Sequence, residues 1–124
     1  MGDAALTVEE AMHNFDLAAF YTNFLRDIQD IQKSDGTITD TVPFTYIHYS
    51  CVVSYSWDRF GSRPADPAWG AAYPTMVYLM WKFYGDERIL TQHYEGLTRY
   101  IDFLAEAVKK TGLQKMFSCM YSEI

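Results

Sequence analysis

The chain has 124 residues, of which 49% are hydrophobic and 17% aromatic, enough for one small domain and too apolar for a disordered segment. Its formal net charge is −6 and its ten Lys and Arg residues are scattered, so the basic patch that a nucleic-acid footprint requires is missing. Its two cysteines, Cys51 and Cys119, make no disulfide framework, no apolar run is as long as a membrane span, and the acidic N-terminus is no signal peptide. Compartment is left open.

In chain order, Thr7 followed by Glu10 has the spacing of a capping box and predicts a short helix from there to about Met12. Asp16 then stands as the cap of a second helix, with Phe15 and Phe20 spaced as a hydrophobic staple across it. Leu17, Phe20, Tyr21, Phe24, Leu25, Ile28 and Ile31 recur at helical spacing, and Thr22, Asn23, Arg26, Asp27 and Asp30 take the opposite face. Lys33-Ser34-Asp35-Gly36 ends that helix with a turn.

Residues from about Thr37 to Pro67 show no sustained helical period. Their loose alternation is compatible with short strands, but they read best as a long irregular loop, either functional or a wrapped surface connection. The loop closes on Arg63-Pro64-Ala65-Asp66-Pro67-Ala68-Trp69-Gly70. Its prolines bar helix up to Asp66 and give a stiff approach, so Trp69 stands at the mouth of the next helix. An aromatic ring held there suits a sugar-stacking platform, or else plugs the top of a helical core.

Ala72 to Tyr84 is apolar almost all round, as in a helix meant for the inside of a larger body, with Pro74 in its first turn. Gly85 suits its C-terminus and Asp86 the next N-cap. The last helix carries Ile89, Leu90, Tyr94, Leu97, Ile101, Leu104 and Val108 as one expected stripe and ends at Thr111-Gly112. Two helical hairpins and a long aromatic loop result.

Other groupings are weaker. His13, His48 and His93 with Cys51 and Cys119 lack the close spacing of a structural zinc site, so no metal is expected. Tyr55, Trp57, Asp58 and Arg59 could line a site from the loop, or Arg59 could simply pair with Asp58. A Gly-rich phosphate loop and a Ser-centred nucleophile elbow are both absent, and no cofactor is expected.

Asp66-Pro67-Ala68-Trp69-Gly70-Ala71-Ala72, then Tyr84-Gly85-Asp86-Glu87-Arg88-Ile89-Leu90, Tyr94 and Tyr100-Ile101-Asp102-Phe103-Leu104 follow an order that resembles the bacterial α-L-rhamnosidases of glycoside hydrolase family 78. Asn14-Phe15-Asp16, Phe24-Leu25-Arg26-Asp27-Ile28, Gln32, Asp35-Gly36 and Pro43 are similar in the same order. The likeness fades after Gly112.

The resemblance implies an all-α fold, with these hairpins an arc of an (α/α)6 barrel, and residues 1–124 only part of that catalytic barrel. In the family an Asp-Glu-Arg-x-Gly-Trp-x-Gly-Asp stretch carries the general acid. Gly2-Asp3 looks like its last two residues, so the acid is expected upstream of Met1 and the general base beyond Ile124, which leaves no catalytic residue in this chain. By motif position Asp3 resembles the aspartate that binds rhamnose hydroxyls, and Trp69 an aromatic wall beside the sugar. The implied function is inverting hydrolysis of terminal α-L-rhamnosides by the complete protein, with this chain inactive alone. The implied partner is carbohydrate, with neither nucleic acid nor membrane, and exposed apolar helix faces are expected to self-associate. A free-standing helical interaction module and a piece of another six-hairpin toroid glycosidase are the alternatives.

Overall fold

A computed structural model of the chain describes residues 1–39, 41–42 and 67–111. Among them every regular element is helical: α1 (Gly2–Asn14), α2 (Ala18–Ile31), the single turn α3 (Pro67–Gly70), α4 (Ala72–Tyr84) and α5 (Glu87–Thr111). Most of the expected loop, residue 40 and residues 43–66, lies outside the described residues.

The other helices are all organised on α4, which packs against α1, α2, α3 and α5. Its all-round apolarity is why: Ala72, Tyr73, Met76, Val77, Leu79 and Met80 are all buried. Around them stand Val8 and Met12 of α1, Tyr21, Leu25 and Ile28 of α2, and Ile89 and Tyr100 of α5. Fully burying a side chain of this kind contributes roughly 1.5–3 kcal/mol.

Contacts along the helices fix their directions. Gly2 meets Trp69, Glu9 accepts a hydrogen bond from Lys82 at 3.0 Å, and His13 stands edge-on to Phe83 with ring centroids 4.8 Å apart, so α1 and α4 run parallel. The Leu17 N–H donates to the Tyr84 hydroxyl at 3.0 Å, so α2 begins where α4 ends. The Gln29 and Gln32 side-chain amides donate to Gln92 and Gly96 carbonyls, which runs α2 along α5. One end of the bundle therefore gathers Gly2, Asp3, Trp69 and the turn after α2, and the other gathers Phe15 to Leu17 with Tyr84 to Arg88. At 1.5 Å per residue α5 is about 37 Å long, nearly twice α4. Tyr100 already reaches Gly70, just before α4, so the remainder of α5 extends past that end.

The turns follow the sequence. Gly36 takes φ 91° and closes back on the Lys33 carbonyl at 3.0 Å, while the Asp35 carboxylate accepts from the Thr37 N–H and hydroxyl. Gly85 takes φ 63°, the left-handed conformation that ends a helix, and its N–H returns to Trp81. Asp86 then caps α5 by accepting from the Arg88 N–H at 3.0 Å, and two further bonds from the Arg88 guanidinium hold it.

Three expectations change. The capping box at Thr7 does not form: α1 starts five residues earlier, its first turn closed by the Ala5 N–H on Met1, and the Thr7 hydroxyl donates back to the Asp3 carbonyl. Ala4, Ala5 and Leu6 are strong helix formers and carry the helix through the position a cap would need. The staple at the second helix is also missing. Leu17 is the N-cap, Asp16 is a 3.4 Å acceptor for Ala18, and Phe15 and Phe20 are 67% and 58% exposed. Finally, the buried stripe of α5 is Ile89, His93, Gly96 and Tyr100. Of the expected stripe, Leu90, Tyr94 and Ile101 face outward, one residue round the helix from the core.

Candidate functional site

Trp69 comes one residue before the end of α3, and Gly2 opens α1. Because α1 and α4 run parallel, their starts lie side by side, and the indole of Trp69 rests on Gly2. Gly2 is buried, whereas Trp69 keeps 40% of its surface exposed, so in this chain the ring is not a buried plug. Asp3, the next residue, is exposed in the first turn of α1, where the positive end of the helix dipole favours a carboxylate. Among the described residues nothing donates a hydrogen bond to its side chain. The two residues picked from sequence as sugar contacts are thus brought to the same end of the bundle.

An ionised carboxylate is an acceptor for hydroxyl donors, and an indole face is the negative side of a quadrupole that attracts the polarised C–H bonds of a pyranose ring. Together they offer the two contacts that a small deoxysugar presents. Acid–base chemistry is a different requirement, since a general acid must hold its proton near neutral pH. The described carboxyls whose proton affinity is displaced all move the other way. Hydrogen bonds from Thr37 lower Asp35, the Arg88 guanidinium lowers Asp86, and Lys109 lowers Glu106. Glu9 is tied to Lys82.

The imagined zinc residues do not converge where they can be followed. His93 is buried against Tyr73, and His13 is exposed beside Phe83. His48, Cys51 and Cys119 lie outside the described residues, as do Tyr55, Trp57, Asp58 and Arg59. Among the described residues no three His, Cys, Asp or Glu side chains gather as a metal site would require, and no helix is long and apolar enough to cross a membrane.

Sequence reasoning missed two features of this end. One is the Gln32 bridge, whose amide donates to the Gly36 carbonyl at 3.1 Å and the Gly96 carbonyl at 2.9 Å while its oxygen accepts from Arg99 at 3.1 Å. It locks the turn after α2 onto α5. The other is Tyr100, whose hydroxyl end is seated against Gly70 beside Trp69. Gly96 and Arg99 are far from Gln32 in sequence, as Tyr100 is from Gly70, so no local spacing announces these contacts.

Comparison with known proteins agrees with the all-helical fold. The family model of the bacterial alpha-L-rhamnosidase six-hairpin glycosidase domain matches residues 1–120. An alpha-L-rhamnosidase of Streptomyces avermitilis is 26% identical over 103 residues, which is 83% of this chain and 9% of that protein. One from Alteromonas sp. (strain LOR) is 24% identical over 102 residues, 82% of this chain and 10% of that protein. Among solved structures, the alpha-L-rhamnosidase from Dictyoglumus thermophilum is 38% identical with a TM-score of 0.73, over 90% of this chain and 11% of that one. The chain therefore spans about a tenth of the length of each of these relatives. With a match that runs over nearly its whole length, the chain belongs to the bacterial α-L-rhamnosidase six-hairpin glycosidase domain family.

Proposed function

We propose that residues 1–124 are one arc of an α-L-rhamnosidase catalytic barrel and supply part of its sugar-contacting rim, with the acid–base pair coming from elsewhere in that barrel. Trp69 stacks on the sugar ring and Asp3 accepts hydrogen bonds from its hydroxyls. The observation that carries this reading is the half-exposed Trp69 indole lying on Gly2, next to Asp3, where the parallel helices α1 and α4 begin. The family match over residues 1–120 supports rhamnosides as the substrate class.

Inverting hydrolysis needs a protonated carboxyl on the leaving oxygen and a carboxylate activating water on the opposite face, roughly 6.5–9.5 Å apart. The downward displacement of Asp35, Asp86 and Glu106 speaks against the protonated-acid role for them. Each such group is typically worth on the order of 10²–10⁴ in rate. The isolated chain is therefore expected to give no hydrolysis of a nitrophenyl α-L-rhamnoside above a mock-purified blank, from acidic to neutral pH. Turnover that disappears on replacing any carboxylate within residues 1–124, Asp3→Asn for example, would overturn the assignment.

A further inference from the structure

The Trp69 indole rests on one glycine, Gly2, and is followed in the chain by another, Gly70. A Cβ built on Gly2 would lie 2.7 Å from both Cδ2 and Cε2 of Trp69 and 3.1 Å from Cε3. The first two are the ring-fusion carbons, in the interior of the indole. Equal closeness to both means that the backbone of Gly2 lies under the face of the ring system, not at its rim. No real Cβ sits that near a ring carbon, and a tryptophan held by its own short helix is not the loose end of a flexible chain. The next residue, Gly70, gives way to Tyr100, whose hydroxyl would overlap any side chain there. The turn α3 is thus pinned to α5 through Gly70 and to α1 through Trp69.

We infer that Gly2 is a positioning residue: its missing side chain seats the Trp69 indole flat on the first turn of α1, in fixed relation to Asp3, with an outer surface left for ligand. The sugar part of this statement rests on the proposed function, whereas the seat itself can be measured without sugar. A glycine in a helix is otherwise a poor choice, because alanine is the better helix former. Propensity alone would make Gly2→Ala stabilising. The seat makes it destabilising.

A double-mutant cycle on the full chain separates the two. Gly2→Ala is expected to lower the melting midpoint by several degrees when Trp69 is present, and to leave it unchanged or raise it in a Trp69→Ala background. The same shift in both backgrounds would overturn the inference. Should Gly2→Ala alone fail to fold, the double variant must fold again, and failure of that rescue would equally overturn it.

Orientation is read from the chain labelled with 5-fluorotryptophan, the Trp69 resonance being the one lost in Trp69→Phe. Gly2→Ala is expected to shift or broaden it, and an unmoved resonance contradicts the seat. Added L-rhamnose then distinguishes the two layers. If it perturbs the Trp69 resonance equally with Gly2 and with Gly2→Ala, positioning fails and the sugar contact stands. If it leaves that resonance untouched while the coupling is present, the sugar contact fails and the seat stands.

Discussion

The hydroxyl of Tyr73 and Nδ1 of His93 share a hydrogen bond of 3.0 Å at the centre of the α4–α5 contact, with both residues at 0% exposure. The rings meet edge to face, 5.7 Å between centroids. Nε2 of the same imidazole has no hydrogen-bond partner among the described residues. Burial, with the charge of Arg26 adding to it, holds His93 below the ordinary histidine value, and burial pushes the Tyr73 phenol up to about 12. The pair is therefore neutral in the folded chain.

That neutrality sets a pH dependence. The unfolded chain takes up a proton on this histidine near the ordinary value of about 6.5, and the folded chain does so only at lower pH. Wherever the unfolded state binds more protons, stability rises with pH, so it must fall as pH drops below that value. Melting followed from pH 7.5 to 5 is expected to show this decline, before Asp35 and Asp86 are protonated. His93→Gln should flatten the decline, and an unchanged slope in that variant would place its origin elsewhere. Tyr73→Phe strands a buried ring nitrogen and should cost about 1–3 kcal/mol.

Gln32 tests the lock between α2 and α5. Its amide is the donor for two backbone carbonyls, so Gln32→Ala is expected to cost about 1–2 kcal/mol by denaturant unfolding. Gln32→Glu keeps an acceptor for Arg99 but turns a carboxylate toward the carbonyls of Gly36 and Gly96. It should be no more stable than the alanine variant at neutral pH. Wild-type stability in either variant would show that the bridge is incidental.

The outer stripe of α5 makes a third prediction. Tyr94 and Ile101 are 69% and 58% exposed, and on α4 Tyr78 and Trp81 are 51% and 41% exposed. Apolar patches beyond a few hundred Å², as a rough threshold, drive association. Size-exclusion chromatography of the isolated chain should show oligomers or aggregate that Tyr94→Glu with Ile101→Lys reduces. A monomer that melts sharply and binds no hydrophobic dye would instead describe a self-contained helical module.

The elements that could be read from sequence are those fixed by local chemistry. Gly85-Asp86 reads as a turn because a left-handed glycine stops one helix and the carboxylate after it caps the next. Ala72 to Tyr84 had to be central, because apolar residues stand on most of its sides and six of them are buried at once. The stripe of α5 was misread because its buried side is built partly from His93 and Gly96. Neither looks apolar, and both are inside because of Tyr73, twenty residues or more away. Thr7 and Asp16 misled because a capping residue type is only permissive, and the neighbouring alanines decided where α1 began. At the candidate site, motif order pointed to Asp3 and Trp69, but the glycine seat that joins them was invisible until α1 and α4 were seen to run parallel.

The sugar rim itself is open to one comparison: L-rhamnose affinity of a six-hairpin domain carrying this segment, measured for the parent, Trp69→Ala and Asp3→Asn, with melting recorded alongside. Each substitution is expected to weaken binding by about tenfold or more, roughly 1.4 kcal/mol, while moving the melting temperature little. Unchanged affinity in a Trp69→Ala protein that melts earlier would make the indole a packing element and contradict the assignment of this end to sugar.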